Sequence, residues 1–448
     1  MASPNPQEGS DVAPEIADED AAEWKDNGLM LELAPFKLEK IIEYEPGGYH
    51  PVHLGDVLGD VYRIIHKFGY GGFATVWLAR DLNAKDTTKY VALKIIRADS
   101  SGNDCPEFLM DRLASEIGEG EGPQYLCFPL HRFKVDGPNG SHLCFVYPVL
   151  GPRVSYGVFR ASDDLDEILR RVCHGVTAAI ASLHHHGLCH GDIRPHNILH
   201  PVTGFDGLSE EEILSILGEP RCNPVLDADE KENTMPTAPR YLVYPVAWDS
   251  VNTKFLLKTP KIIDFGECFD ISNPPEDVGT PGYYRSPELL LESKLGIPSD
   301  LWALACTLFE IRTGRKLFDS FDDNDDDYLE AMCLVLGRLP EPWWTTTWQA
   351  RRRFFKDETD ENGRTILMHE SQAAVYDNVH PSVPQGARSL VDKMGPGLWY
   401  MDTKNCVNRD IPDEEKPIFA DLLGKLLELN PEDRISAQAA LEHEWFRV

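Results

Sequence analysis

Apolar positions change their period along this chain. Between about residues 44 and 147, short runs rich in β-branched and aromatic side chains are separated by turn residues. Val61-Tyr62-Arg63-Ile64-Ile65, Thr75-Val76-Trp77-Leu78-Ala79 and Tyr90-Val91-Ala92-Leu93-Lys94-Ile95-Ile96 are the clearest. Such runs predict strands of an antiparallel sheet. From Pro106 to Ile117, Phe108, Leu109, Leu113 and Ile117 recur at helical spacing, which predicts one helix. From about 162 onward, helical periodicity dominates. Leu165, Ile168, Leu169, Val172, Val176, Ile180 and Leu183 mark a long core helix that runs into His184-His185-His186-Gly187, where Gly187 suits a C-cap. Three consecutive histidines invite a metal reading, but neighbours on a helix point apart, so a polar helix end is the simpler one. The pattern predicts an α+β fold: a sheet unit with one main helix, then a mostly helical unit.

Three stretches break the pattern. Residues 201–259 read as an insertion, in which Ser209 and Glu212 form a capping-box signature for a short helix through Ile216. Glu219 to Arg240 is polar and proline-rich, and is expected to be loop. Residues 341–412 are irregular and hold Trp343, Trp344, Trp348 and Trp399, expected to pack the loop onto the domain. Residues 1–43 form an acidic extension, expected to be disordered. Its first part carries Glu8, Asp11, Glu15, Asp18, Glu19, Asp20 and Glu23 without a balancing cation, and Pro4, Pro6 and Pro14 break any helix.

Charge narrows the function classes. The 448 residues include 43 Lys and Arg against 74 Asp and Glu, a net charge of −31. That excludes a generic nucleic-acid binder, which needs a positive face, and favours a cationic partner. The 10 cysteines contain no Cys-x-x-Cys pair. Buried free thiols in a reducing compartment are expected, rather than zinc or disulfides. The start Met1-Ala2-Ser3-Pro4 has no secretory pattern, and the apolar stretch Leu301 to Phe309 is too short to span a bilayer. A soluble cytoplasmic or nuclear monomer is expected, with no membrane and no direct nucleic-acid contact.

The candidate chemistry begins at Phe68-Gly69-Tyr70-Gly71-Gly72-Phe73-Ala74-Thr75-Val76, a glycine-rich turn between two strand-like runs. Gly69 and Gly71 let backbone N–H groups approach phosphates without a Cβ in the way. Alone, this turn is equally a plain hairpin. Its force comes from the motifs downstream of it: Val91-Ala92-Leu93-Lys94, then His190-Gly191-Asp192-Ile193-Arg194-Pro195-His196-Asn197, then Ile262-Ile263-Asp264-Phe265-Gly266, then Ser286-Pro287-Glu288. A lysine in an apolar strand is costly unless paired, and Glu116 on the next helix is the expected partner.

This succession resembles the protein-kinase signature. The resemblance implies a bilobal kinase fold, with an N-lobe at 44–147 and a C-lobe at 148–448. It implies ATP and Mg²⁺. The glycine-rich turn (68–76) and Ala92 would border the nucleotide, and Lys94, oriented by Glu116, would hold the α- and β-phosphates. Tyr147 would be the gatekeeper, and Leu150, after Pro148-Val149, would offer its N–H to adenine. Asn197 and Asp264 would bind Mg²⁺. Asp192 would accept the substrate hydroxyl proton, with Arg194 beside it. Thr280, Arg285 and Glu288 belong to the activation segment, and Arg434 would pair with Glu288.

Within that class the chain resembles the SR-protein kinases, from about 44 to 448. The lead-in Tyr44-Glu45-Pro46-Gly47-Gly48-Tyr49-His50-Pro51-Val52-His53-Leu54-Gly55-Asp56 is similar to theirs, as are Gly71-Gly72-Phe73-Ala74-Thr75-Val76-Trp77-Leu78-Ala79 and Cys144-Phe145-Val146-Tyr147-Pro148-Val149-Leu150-Gly151. They too carry an insertion between catalytic loop and DFG. The short insertion, with Tyr241-Leu242-Val243 and Trp248, looks most like the fungal branch. Arg/Ser-rich, basic protein substrates are thereby implied, with docking near Asp322, Asp323, Asp325, Asp326 and Asp327 weighed evenly against a merely solvated acidic face. The chain departs from the pattern at Ala74, at Gly191 in place of Arg, at Arg194 in place of Lys and at Pro148 in place of the hinge Glu. Lacking that Arg to clasp an activation-loop phosphate, it is expected to act without such phosphorylation. Two other readings stay open: a kinase-fold scaffold of weak activity, and a small-molecule phosphotransferase.

Overall fold

A computed structural model describes residues 27–85, 89–118, 120, 122–155, 157–320, 323–361, 363–368, 388–395, 398–402 and 405–447. After a short strand β1 (Leu29–Leu31), the first third of the chain, the N-terminal half of the fold, forms an antiparallel sheet. It comprises β2 (Val57–Leu58), β3 (Tyr62–Gly71), β4 (Ala74–Asp81), β5 (Lys89–Ile96), β6 (His131–Gly137) and β7 (Gly140–Tyr147), in spatial order β2-β3-β4-β5-β7-β6. Strand side chains alternate between faces. Val91, Leu93 and Ile95 of β5 therefore join Trp77, Ala79, Cys144 and Val146 on one buried face. Ala92 and Lys94 turn to the other, where Ala92 stands opposite Tyr147 and Lys94 opposite Val76. The helix of this half, α1 (Phe108–Glu116), buries Met110 and Leu113 against the main core.

The remaining two thirds of the chain begin with β8 (Leu150–Arg153) and α2 (Leu165–His185). The apolar stripe of α2 is buried throughout, and Gly187 just beyond takes a φ of 72°. Next come β9 (Leu188–Cys189) and β10 (Ile198–Pro201). Near the centre lies α5 (Ile297–Thr313), which follows α4 (Pro287–Glu292). Leu301, Trp302, Leu304, Leu308, Phe309 and Ile311 are buried on all its sides, as expected of a helix apolar all round. Of the helices that follow α6 (Asp325–Leu336), α7 (Leu390–Lys393) packs on α8 (Glu415–Leu426), α8 packs on α5, and α9 (Ala437–Leu441) packs on α2. Trp343, Trp344 and Trp348 are buried in this core; the Trp399 side chain lies outside the described residues. No described helix is long and apolar enough to cross a membrane.

Two expectations about irregular chain need correction. Within 201–259, α3 (Glu210–Leu217) has both capping-box bonds, Glu212 N to Ser209 Oγ at 3.2 Å and Ser209 N to Glu212 Oε2 at 2.7 Å. The polar stretch after it, however, is not all loop: β11 (Cys222–Asp227) and β12 (Tyr241–Val243) form a sheet in the order β1-β11-β12. Its outer strand comes from the extension, so residues 27–43 are folded rather than disordered. Asn223 accepts from Leu33 N and donates to Leu33 O, both at 3.0 Å. The insertion covers the first sheet. Ile213 and Leu217 pack with Ile65, Leu78 and Tyr90, and Val243 joins the opposite face. Residues 1–26 lie outside the described residues.

Candidate active site

One backbone ladder brings the catalytic-loop and DFG residues together. β10 pairs with β13 (Lys261–Ile262), Ile198 opposite Ile262, and Ile263 N donates to Asn197 O at 2.9 Å. His190, fully buried, sits 3.2 Å from Ile263 O through Nε2, and its ring lies 5.3 Å from that of Phe265. From below, Asp300 near the start of α5 accepts from His190 N at 3.0 Å and from Gly191 N at 3.1 Å. The loop from His190 to Asn197 is thus fixed by its backbone, which leaves its side chains for chemistry.

Asp192 is almost fully buried. Its Oδ2 accepts from Arg194 Nε and from Asn197 Nδ2, each at 2.8 Å, and Asn197 Nδ2 also reaches Asp192 O at 2.8 Å. Its Oδ1 is buried with no hydrogen-bond partner among the described residues. Burial raises the Asp192 carboxyl above the usual aspartate value, with Arg194 pulling the other way. Asn197 has its NH₂ committed to Asp192, so its amide oxygen is the atom available to a cation.

Lys94 Nζ donates to Asp264 Oδ1 at 2.7 Å and pairs with Glu107. Burial works against its charge, but Asp264 and Glu107 together hold its ammonium well above the ordinary lysine range. Lys94 in turn holds Asp264 below the ordinary aspartate range. Asp264 takes a φ of 65°, a left-handed value uncommon outside glycine and associated with functional sites.

The expected partner, Glu116, is not the one observed. Lys94 meets the N-terminal end of α1, and Glu116 is exposed at its far end, about 13 Å along the axis at 1.5 Å per residue. Glu107, at the N-cap, is 2% exposed and takes the role. Helical periodicity does not single it out because it precedes the first helical residue. The available signal was an acid after Pro106 at a helix start, where the macrodipole favours negative charge.

The turn at Gly71–Ala74 closes β3 onto β4, and residues 70 to 73 are exposed. A Cβ built on Gly69, Gly71 or Gly72 meets nothing within 4 Å. Protein packing therefore does not demand glycine there, and the open space suits a ligand that approaches the backbone closely. Tyr147 ends β7 beside Lys94, and burial raises its phenol strongly. Leu150, mostly buried, opens β8 opposite Pro201.

In the activation segment, buried Thr280 donates its hydroxyl to Gly191 O. Arg285 holds Thr280 O at 2.8 Å and Val278 O at 3.1 Å. Gly191 has a φ of 80°, and a Cβ there would lie 2.1 Å from Glu267 O, so no other residue fits this backbone. Arg434 donates to both oxygens of Glu288, at 2.6 and 2.8 Å, in a buried bidentate pair. The acidic run is partly occupied from within. Asp326 accepts from Trp348 Nε1 at 2.7 Å and pairs with Arg353, Asp327 accepts from Asn324 Nδ2 at 2.6 Å, and Asp323 accepts from the Tyr328 hydroxyl. Asp325 is exposed, and Asp322 lies outside the described residues.

Comparison with known proteins agrees with this geometry. The protein kinase domain model matches residues 252–446. The chain is 29% identical to the serine/threonine-protein kinase SRPK of Physarum polycephalum over 432 residues, covering 90% of each. It is 26% identical to the protein kinase dsk1 of Schizosaccharomyces pombe, covering 70% of this chain and 73% of that one. With the dual specificity protein kinase CLK1 of mouse it shares 23% over 92% of this chain and 71% of the relative. Sheet, catalytic-loop ladder and relatives agree: the chain is a protein serine/threonine kinase, similar along most of its length to SR-protein kinases.

Proposed function

We propose that this kinase transfers the γ-phosphoryl group of ATP to serine in Arg/Ser-rich, basic protein segments. The observation that carries the transfer is the placement of Asp192. It is a buried carboxylate with one oxygen fixed by Arg194 and Asn197 and the other without a partner among the described residues, and Asn197 in turn ties it to the segment that carries Asp264 through Ile263 N. The net charge of −31 supports basic substrates.

Phosphoryl transfer asks for positioning and charge neutralisation more than for covalent help. Lys94, fixed by Glu107, binds the α- and β-phosphates, and the turn from Gly69 to Ala74 covers them with backbone N–H groups. The donor set at the metal position, the Asp264 carboxylate and the Asn197 amide oxygen, is all oxygen, as Mg²⁺ requires. Bound there, Mg²⁺ neutralises phosphate charge. Asp192 Oδ1 takes the hydroxyl proton of the substrate serine, while Arg194 keeps Asp192 oriented. At the other end of the site the Leu150 N–H and Pro148 carbonyl meet adenine. Thr280, Arg285 and the Glu288–Arg434 pair hold the activation segment without a phosphate.

The test is transfer of labelled phosphate from ATP to an Arg-Ser repeat peptide, beside a Lys-Ser peptide and an acidic one. Selective labelling of the Arg-Ser peptide is expected. Asp192→Asn should lower kcat by about a thousandfold or more while leaving nucleotide affinity within about twofold. Equal labelling of all three peptides would remove the substrate assignment. Equal loss of nucleotide binding and of transfer in Asp192→Asn would make Asp192 a structural residue.

A further inference from the structure

The Tyr44-to-Tyr49 segment carries part of the family resemblance, yet it has no part in the transfer step itself. We propose that Tyr49 is a positioning residue that holds the glycine-rich turn over the nucleotide phosphates, an inference that rests on the phosphoryl-transfer reading above. Tyr49 is 4% exposed, and its hydroxyl donates to Gly71 O at 2.6 Å and reaches Gly72 O at 3.4 Å. These two glycines form the exposed turn at the end of β3 and have no side chains with which to anchor themselves. On its other side the turn is tied by one backbone bond, Arg97 N to Phe73 O at 2.9 Å.

Tyr49 is itself held on several sides. The Arg97 guanidinium lies 5.4 Å from its ring centroid, and the Tyr44 ring meets it edge-on at 5.5 Å. Its backbone N donates to Glu43 O at 3.0 Å, and Asn139 Nδ2 donates to its carbonyl at 2.6 Å. Gly48 permits this path, since a Cβ there would sit 1.9 Å from Glu43 O. The segment is moored to the sheet by a fully buried pair, Lys67 of β3 with Glu39, which also accepts from Tyr44 Oη at 2.8 Å. Burial, followed by Glu43, pushes the Tyr49 phenol up to about 12. It therefore remains a donor throughout the working pH range.

The contact falls on the phosphate end of the site and not on the adenine end. Its loss should therefore weaken nucleotides in proportion to their phosphates. Tyr49→Phe removes the hydroxyl and keeps the ring under Arg97. In the full chain we expect KM for MgATP to rise about three- to tenfold, the range one hydrogen bond supplies, with kcat changing less. The Kd for adenosine should stay unchanged, the melting temperature should fall by no more than the few degrees that one hydrogen bond supplies, and amide exchange at residues 70–74 should quicken. Unchanged KM and exchange, or adenosine weakened as much as MgATP, would overturn the positioning role and leave the kinase reading intact. A wild-type protein that binds MgATP no more tightly than adenosine would instead remove the phosphate cradle, and the inference with it.

Discussion

Asp192 is asked to be a base while it lies almost wholly out of water, and its environment sets the pH at which it serves. Burial raises its carboxyl and Arg194 lowers it, with burial the larger effect. Only the deprotonated form accepts a proton. The acid limb of kcat/KM for peptide should therefore lie above the ordinary aspartate value of about 3.9. Arg194→Ala removes the cation that favours the charged form, so the limb should move to higher pH by about one unit, and Arg194→Lys should restore most of it. A pH–rate profile of the three proteins checks this; coincident limbs would mean that Arg194 does not govern Asp192. At this scale the sequence was highly legible. Lys94, Asp192, Asn197 and Asp264 stand in short motifs with strict order, and the structure links them through the Lys94–Asp264 pair, the Ile263 N to Asn197 O bond and the Asn197–Asp192 bond. Glu107 was not singled out, because its role depends on which end of α1 faces Lys94: Glu107 precedes the first helical residue and Glu116 is the last, and the apolar spacing alone does not say which end faces the strand.

Among the elements, α6 carries a carboxylate with no evident catalytic use. Glu330 is 2% exposed, its Oε1 is buried with no partner among the described residues, and burial, with Asp327 adding, pushes it up to about 7. The folded value is raised above the unfolded one, so the folded state binds the extra proton. Its stabilising effect is complete below about pH 4.5 and is lost as pH rises through about 7. Across that window it amounts to about 3 kcal/mol. Glu330→Gln cannot ionise, so urea unfolding at both ends of the window should show a variant more stable than the wild type at the alkaline end, with the difference gone at the acidic end. A parallel decline in both proteins would assign the pH dependence elsewhere. Elements with local signals were readable: the α2 stripe, and the α3 capping box. The β1-β11-β12 sheet was not, because Leu33 and Asn223 are separated by 190 residues. Strands rich in Pro, Asn and Asp have no periodicity that names so distant a partner.

At the scale of the whole molecule, the excess of 74 acidic over 43 basic residues is the feature least explained by the fold. The run near the start of α6 was the natural docking candidate, yet Asp326, Asp327 and Asp323 have internal partners, to Trp348 and Arg353, to Asn324 and to Tyr328. A carboxylate that already accepts from a buried indole or from the residue that caps its helix is a weaker anchor for an incoming arginine than one facing water. Capture of a basic substrate should then depend on the summed field rather than on one groove. A summed field is screened within about 8 to 10 Å at working ionic strength. The KM for an Arg-Ser peptide should therefore rise about fivefold or more as salt increases from about 50 to about 300 mM, while kcat holds. Asp325→Asn, the exposed member of the run, should shift KM by less than about twofold, since it removes one charge from a field of many. Steady-state kinetics across that salt range separates the cases: a flat KM would mean that the net charge does not serve substrate capture, and a collapse in Asp325→Asn alone would restore a discrete docking groove.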